Sequence, residues 1–227
     1  MEVIKRTSPI SPGPAVSEAS GQVYAIVPAH GGSNADLVAR QLSRELSEGY
    51  RLSVLLADFF ARGFPLWGTA GAPQRLDGRT WGAFLRNQGA FDTLEAREAH
   101  PRNIQSLLDH ARRRYQITCA ELSEAKESSA LEVLQNSDAI FIVTSSGPAS
   151  VALAKFKADW LRSMNLDDRS ALLLNRIPGG VGAAEVENRT GLPVCATVDD
   201  RAELRHLAGW LAAPQVQFCS SPIRLVG

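Results

Sequence analysis

Val23-Tyr24-Ala25-Ile26-Val27-Pro28-Ala29-His30-Gly31-Gly32-Ser33-Asn34-Ala35-Asp36 is the stretch from which the fold can be read. Its first five residues form an unbroken apolar run, as a strand covered on both faces requires. Pro28 to Gly32 then make a turn. Ser33 or Asn34 is placed to cap a helix in which Leu37, Val38, Gln41, Leu42 and Leu46 recur at helical spacing, with Gly49 as its expected end. Small residues at a strand-to-helix turn let a ligand approach the backbone, and the first turn of the helix offers free N–H groups and a positive dipole end. His30, Gly31, Gly32, Ser33, Asn34, Ala35 and Asp36 are therefore a candidate anion cradle. By itself, a Gly-Gly turn entering a helix is more often structural than functional.

Working outward, the same alternation repeats. A second apolar strand is expected over 52–57. Residues 58–100 are rich in Gly, Pro and aromatics and carry one short helix around 80–87. Helices are expected over 103–115, 128–135, 149–164, 183–189 and 200–212. Strands are expected over 117–122 (a weak run), 139–143, 171–174 and 193–197. The strands are continuous apolar runs alternating with helices, so the predicted fold class is α/β, a doubly wound and mostly parallel sheet with helices on both faces. Ligands of such sheets sit beyond the carboxyl ends of the strands. His30 to Ala35, Asp58, Glu121, Ser145-Ser146 and Asn175-Arg176 should then share one rim.

Composition sets the bounds. The 227 residues suit one core, with 44% hydrophobic and 21% charged residues. The 24 basic and 24 acidic residues cancel, so no bulk field favours nucleic acid or a membrane surface. Cys119, Cys195 and Cys219 include no CxxC pair; the first two lie in apolar runs, and a reducing cytoplasm is the expected setting. Residues 1–21, rich in Ser, Pro and Gly, are expected as a flexible leader, 22–213 as the folded domain and 214–227 as a tail. No apolar run is long enough for a signal peptide or a membrane span.

Further motifs carry a resemblance. Leu131-Glu132-Val133-Leu134-Gln135-Asn136-Ser137-Asp138 precedes a strong strand, Leu174-Asn175-Arg176 closes another, and Gly191-Leu192-Pro193-Val194-Cys195-Ala196-Thr197-Val198-Asp199-Asp200 follows. With the loop at 30–36 and Val54-Leu55-Leu56-Ala57-Asp58, the order and spacing resemble the MinD/ParA family of P-loop ATPases, and within it the CpaE/TadZ pilus-positioning branch. The resemblance implies the P-loop NTPase fold, ATP with Mg as the ancestral ligand, and a base contact at Asn175.

The departures bear on activity. Family members carry KGGxGK[ST] in the loop. The lysine that crosses to a partner's ATP falls on His30, the phosphate-holding lysine on Ala35, and the magnesium-ligating threonine on Asp36. The carboxylate of the DxxP strand end falls on Glu121, and the hydrolysis-associated one on Asp58; both are relic positions and no catalytic residue is assigned. A lysine about 4 Å from a phosphate contributes roughly 4 kcal/mol at an effective dielectric of about 20, and Asp36 would add repulsion of similar order. Phosphoryl transfer rests on positioning and charge, so little turnover is expected. No cofactor is required on this reading, and ATP or ADP with Mg would bind weakly.

Phe59, Phe60, Phe64, Leu66 and Trp67 either cap the core or form an apolar interface, with Phe60, Phe64 and Trp67 the interface candidates. Arg112, Arg113 and Arg114 are expected as a solvated helix end, and Lys155, Lys157 and Arg162 as a polar helix face. His110 and His206 have no identifiable partners. The tail after Pro214 is not an amphipathic membrane helix. The resulting expectation is a pseudo-ATPase acting as a localisation, scaffold or regulatory component with a protein partner or a second copy. The alternatives are an ATPase with a rearranged site using His30 and Asp36, and a nucleotide sensor without turnover.

Overall fold

A computed structural model describes residues 21–59, 79–96, 101–123, 125 and 127–213. The interface candidates Phe60, Phe64 and Trp67, residues 1–20 of the expected leader and all of the expected tail lie outside the described residues.

The apolar run at the start is strand β1 (Gln22–Pro28), and helix α1 (Ala35–Arg44) follows its loop. Along the chain come β2 (Val54–Asp58), the short α2 (Trp81–Phe84), β3 (Leu85–Asn87), β4 (Asp92–Glu95), α3 (Pro101–Arg114), β5 (Ile117–Glu121) and α4 (Glu127–Gln135). Then follow β6 (Ala139–Ser145), α5 (Pro148–Ser163), β7 (Ser170–Asn175), α6 (Ala183–Thr190), β8 (Val194–Thr197) and α7 (Arg201–Ala212). The eight strands form one sheet in the order β3-β4-β2-β5-β1-β6-β7-β8, in which only β3 runs antiparallel to its neighbour.

Side chains of each strand alternate between two cores. Val23, Ala25 and Val27 of β1 face the layer of α3 to α6, where they meet Ile104, Val133, Val151 and Val186. Tyr24 and Ile26 face α1 and α7, with Val38, Leu42, Leu204 and Leu211. Both faces are covered, which is why the strands read as continuous apolar runs; each such buried side chain contributes about 1.5–3 kcal/mol.

Three local expectations are corrected. Residues 80–87 are not one helix: only 81–84 are helical, and 85–87 pair with β4 as an edge hairpin. That pairing depends on contacts with β2, which local pattern does not encode. The strand expected over 117–122 is present as β5, buried along its whole length between β1 and β2 although its sequence signal is weak. Gly49 does not stop the first helix, which widens into a π-turn over Glu45–Gly49. There Glu45 accepts from Arg201 at 2.8 Å and Arg205 at 3.2 Å of α7. Burial raises the Glu45 pKa, but the two guanidinium groups outweigh it and hold the carboxyl below its ordinary value.

Finally, Arg112 is not part of a solvated helix end. It donates to the carbonyls of Gly21 (2.7 Å) and Asn136 (2.9 Å) and to Asp138 (2.7 Å), tying α3 to the start of β1 and the turn before β6.

Candidate functional site: the β1–α1 loop and its carboxylate rim

The loop between β1 and α1 is held at its base by the Ala29 N–H, which donates to Val143 O at 2.9 Å, and closed by the Ser33 N–H to His30 O at 3.2 Å. Gly32 has φ +92°, a left-handed conformation that a glycine adopts without steric cost. A Cβ built at Gly31 or Gly32 would meet nothing within 4 Å, so the tip of the loop faces open space. Asn34 occupies the cap position with φ 58° and makes no side-chain cap bond; neither it nor Ser33 closes the helix as expected. The N–H groups of the first turn of α1 are thus left free of a side-chain acceptor.

Ala35 is 1% exposed and packs in the core with Tyr24, Ile26 and Val38. Asp36 beside it is exposed. The imidazole Nδ1 of His30 lies 2.7 Å from Gly31 O, to which it can only donate, and Nε2 is buried without a partner. The buried Ser33 hydroxyl also has no partner.

The strand register brings the two candidate carboxylates to this loop. Glu121 lies opposite both Ile26 and Asp58, at the carboxyl ends of three adjacent strands. Asp58 pairs with Arg40, one turn along α1 from Asp36, at 3.2 Å. Glu121 is 2% exposed; its Oε1 accepts from the Ser123 N–H at 2.8 Å and from the Ser123 hydroxyl, and its Oε2 has no partner. Burial, reinforced by the charges of Asp58 and Asp36, pushes the Glu121 carboxyl up to about 7 against the two Ser123 bonds that favour ionisation.

Asn175 ends β7 on the other side of β1, two strands away, or about 10 Å at the usual strand spacing. Its carbonyl accepts from the Ser146 N–H at 2.9 Å. The next turn is braced on Ser146, whose Oγ accepts from the Ile177 N–H at 3.0 Å; a Cβ at Gly180 would lie 2.0 Å from that oxygen, so this close approach requires glycine. Arg176 pairs with Asp199 at 3.1 Å. The rim thus unites His30 to Asp36 with Asp58 and Glu121, and sets Asn175 apart. Phe59, the one described residue of the aromatic segment, is 4% exposed and belongs to the core. Sequence reasoning missed Arg40 and Ser123. The spacing of four between Asp36 and Arg40 on one helix was the available signal for the first; nothing local marks the second.

The shape of the loop fits a phosphate and its charge set does not. The glycine tip and free N–H groups are open, but the side chains assembled around them are carboxylates, and Arg40 is engaged by Asp58. Among the described residues, no group of three or more His, Cys, Asp or Glu is arranged to hold a metal ion, and no helix is long and apolar enough to cross a membrane.

No protein-family profile matches the sequence, and no curated protein matches it. Solved structures do match. A ParA family ATPase from Chlorobium tepidum TLS is 18% identical with a TM-score of 0.64, over 86% of this chain and 91% of that one. The septum site-determining protein MinD complexed with Mg-ADP from Pyrococcus horikoshii OT3 is 14% identical with a TM-score of 0.62, over 82% and 86%. A chain of the MinC:MinD cell division protein complex of Aquifex aeolicus is 14% identical with a TM-score of 0.63, over 83% and 86%. At such identities what is shared is the architecture, and this chain has the fold of the MinD/ParA P-loop ATPases.

Proposed function

We propose that the chain is a MinD/CpaE-like pseudo-ATPase that works in the cytoplasm as a localisation, scaffold or regulatory component, through a protein partner or a second copy of itself. The observation that carries this reading is a loop whose two lysine positions hold His30 and Ala35 and whose threonine position holds Asp36, on a rim that keeps the carboxylates Asp58 and Glu121. Ala35 is buried where a phosphate-holding lysine would start, and the charges of Asp58 and Asp36 both act on the buried Glu121 carboxyl. A carboxylate about 5 Å from a phosphate opposes it by about 3 kcal/mol at an effective dielectric of about 20. Turnover depends on charge stabilisation of the transferring phosphoryl group, so this set of residues works against it. The partner expectation is supported by the similar chain that was solved as part of a MinC:MinD complex.

The purified protein should show no ATP hydrolysis above a buffer blank. Saturable, magnesium-dependent turnover abolished by His30→Ala would overturn the proposal and restore the rearranged ATPase. The open glycine tip favours one second reading, a nucleotide sensor without turnover. A thermal-shift series with Mg-ATP, ADP and cyclic dinucleotides separates it from a scaffold: a saturable rise in melting temperature supports the sensor, and none supports the scaffold.

A further inference from the structure

Glu121 offers a place for a proton that has no acceptor within the protein. It ends β5 between β1 and β2, opposite Ile26 and Asp58. Its Oε1 accepts from both the N–H and the hydroxyl of Ser123, so a proton on this carboxyl belongs on Oε2. Oε2 is buried without a partner, and the neutral carboxyl therefore presents an O–H donor with nothing to receive it. A second such donor is the hydroxyl of Ser33, a residue 6% exposed at the entry to α1. On the same rim the first turn of α1 keeps its N–H groups free of a side-chain acceptor, and the glycine tip is open. What these donors lack is an acceptor.

The charges decide when that acceptor can be an anion. Asp58 on β2 and Asp36 on α1 both act on Glu121, Arg40 of α1 pairs with Asp58 at 3.2 Å, and His30 stands in the loop. The strands β1 and β6 carry no charged residue. Among the described residues of this rim, an ionised Glu121 makes three carboxylates against one guanidinium, and a neutral one leaves two. Loss of the proton thus adds a negative charge and removes the Oε2–H donor in one step, and both changes oppose an anion. Burial and then the two neighbouring carboxylates push this carboxyl up to about 7, so its two forms exchange in the neutral range.

We propose that the β1–α1 loop takes a tetrahedral oxyanion together with a proton, and that Oε2 of Glu121 holds the proton. The ligand class is a phosphate group, free or carried by a nucleotide. The inference rests on the loop remaining an anion cradle, as in the nucleotide-sensor reading above, and adds the condition under which the cradle fills.

The test uses the full chain and sulfate, which has the shape of phosphate and keeps its charge throughout the range, at an ionic strength held constant with chloride. The 15N–1H NMR shifts of the Gly31 to Asp36 amides give its dissociation constant at pH 6, 7 and 8. The neutral carboxyl falls from about nine-tenths of the molecules at pH 6 to about one-tenth at pH 8, so affinity should fall about tenfold. In Glu121→Gln it should be the same at all three. In the unaltered protein the 13C shift of the Glu121 carboxyl reads the proton directly, and saturating sulfate should raise its midpoint by about one pH unit or more, as reciprocal linkage requires. His30→Gln should keep the ratio between pH 6 and pH 8, whatever its absolute affinity. A ratio lost there and kept in Glu121→Gln assigns the proton to the imidazole and overturns the proposal. So does a carboxyl midpoint unmoved by sulfate, or saturable binding independent of pH, which leaves the sensor reading standing. No saturable shift in either protein at any pH overturns the proposal and the sensor reading together, and leaves the scaffold. ADP without magnesium at pH 6 distinguishes the source: affinity about tenfold or more above that of sulfate supports the proposal with a nucleotide as carrier, and equal or lower affinity supports it with a free oxyanion.

Discussion

Replacing Glu121 by Gln should make the protein more stable above neutral pH and leave it nearly unchanged in acid. The carboxyl is 2% exposed, with one oxygen bonded twice by Ser123 and the other without a partner. The groups that face it are Asp58 on β2 and Asp36 on α1, both negative, while Arg40 is directed to Asp58. Burial first, and then these two charges, move its pKa from 4.5 to about 7. One pKa unit corresponds to about 1.4 kcal/mol, so the folded state prefers the neutral carboxyl by about 3 kcal/mol. Because the folded value is the higher one, this contribution is complete below about pH 4.5 and is lost as pH rises through about 7. Above that, the wild type folds around a buried, ionised carboxylate, and the neutral amide of the variant does not. Wild-type stability relative to Glu121→Gln should therefore fall by about 3 kcal/mol between pH 4.5 and pH 8, or about 6–12 °C in melting temperature for a domain of this size. Urea unfolding of both proteins at pH 5, 6, 7 and 8 measures the difference directly. Two parallel pH profiles would show that Glu121 is ionised throughout, and a rim built around a protonated carboxyl would be refuted.

Two further outcomes follow from the same geometry. Ala35→Lys with Asp36→Thr should raise ATP affinity about tenfold or more, because restoring part of the lysine's attraction exceeds about 1.4 kcal/mol, and the new stem must climb out of a buried position to reach the tip; isothermal titration of a folded double variant that shows no gain would mean the loop no longer cradles a phosphate. Arg112→Ala should destabilise the fold by about 2–3 kcal/mol by leaving the Gly21 and Asn136 carbonyls and Asp138 without their donor, and Arg112→Lys should recover only part of this in denaturant unfolding, since an ammonium cannot reach three acceptors from one plane.

The architecture was legible because most of its strands are short apolar runs between helices of clear period. Val23 to Val27 and Ala139 to Val143 are buried on both faces, and that burial is written directly into local composition. The loop at 30–36 was legible too, since a glycine turn between strand and helix is a local device. Where the chain is irregular, local pattern failed: 85–87 becomes a strand only because β4 offers an edge to pair with, and pairing partners are chosen by the sheet as a whole. Arg112 shows the same limit, because a basic run at a helix end looks solvated until the fold brings Gly21 and Asn136 to it.

For the site, the residue identities alone determined what is missing, namely lysines at His30 and Ala35 and a threonine hydroxyl at Asp36. Only the tertiary structure decided what stands there instead. The parallel register of β1, β5 and β2 sets Glu121 between Ile26 and Asp58, so that three carboxyl groups from distant segments share one rim. A charge takes its meaning from its neighbours and its depth below water. Glu121 reads in sequence as a relic carboxylate on the rim, and its carboxyl is pushed up to about 7 because strands pair on both sides of it and exclude solvent.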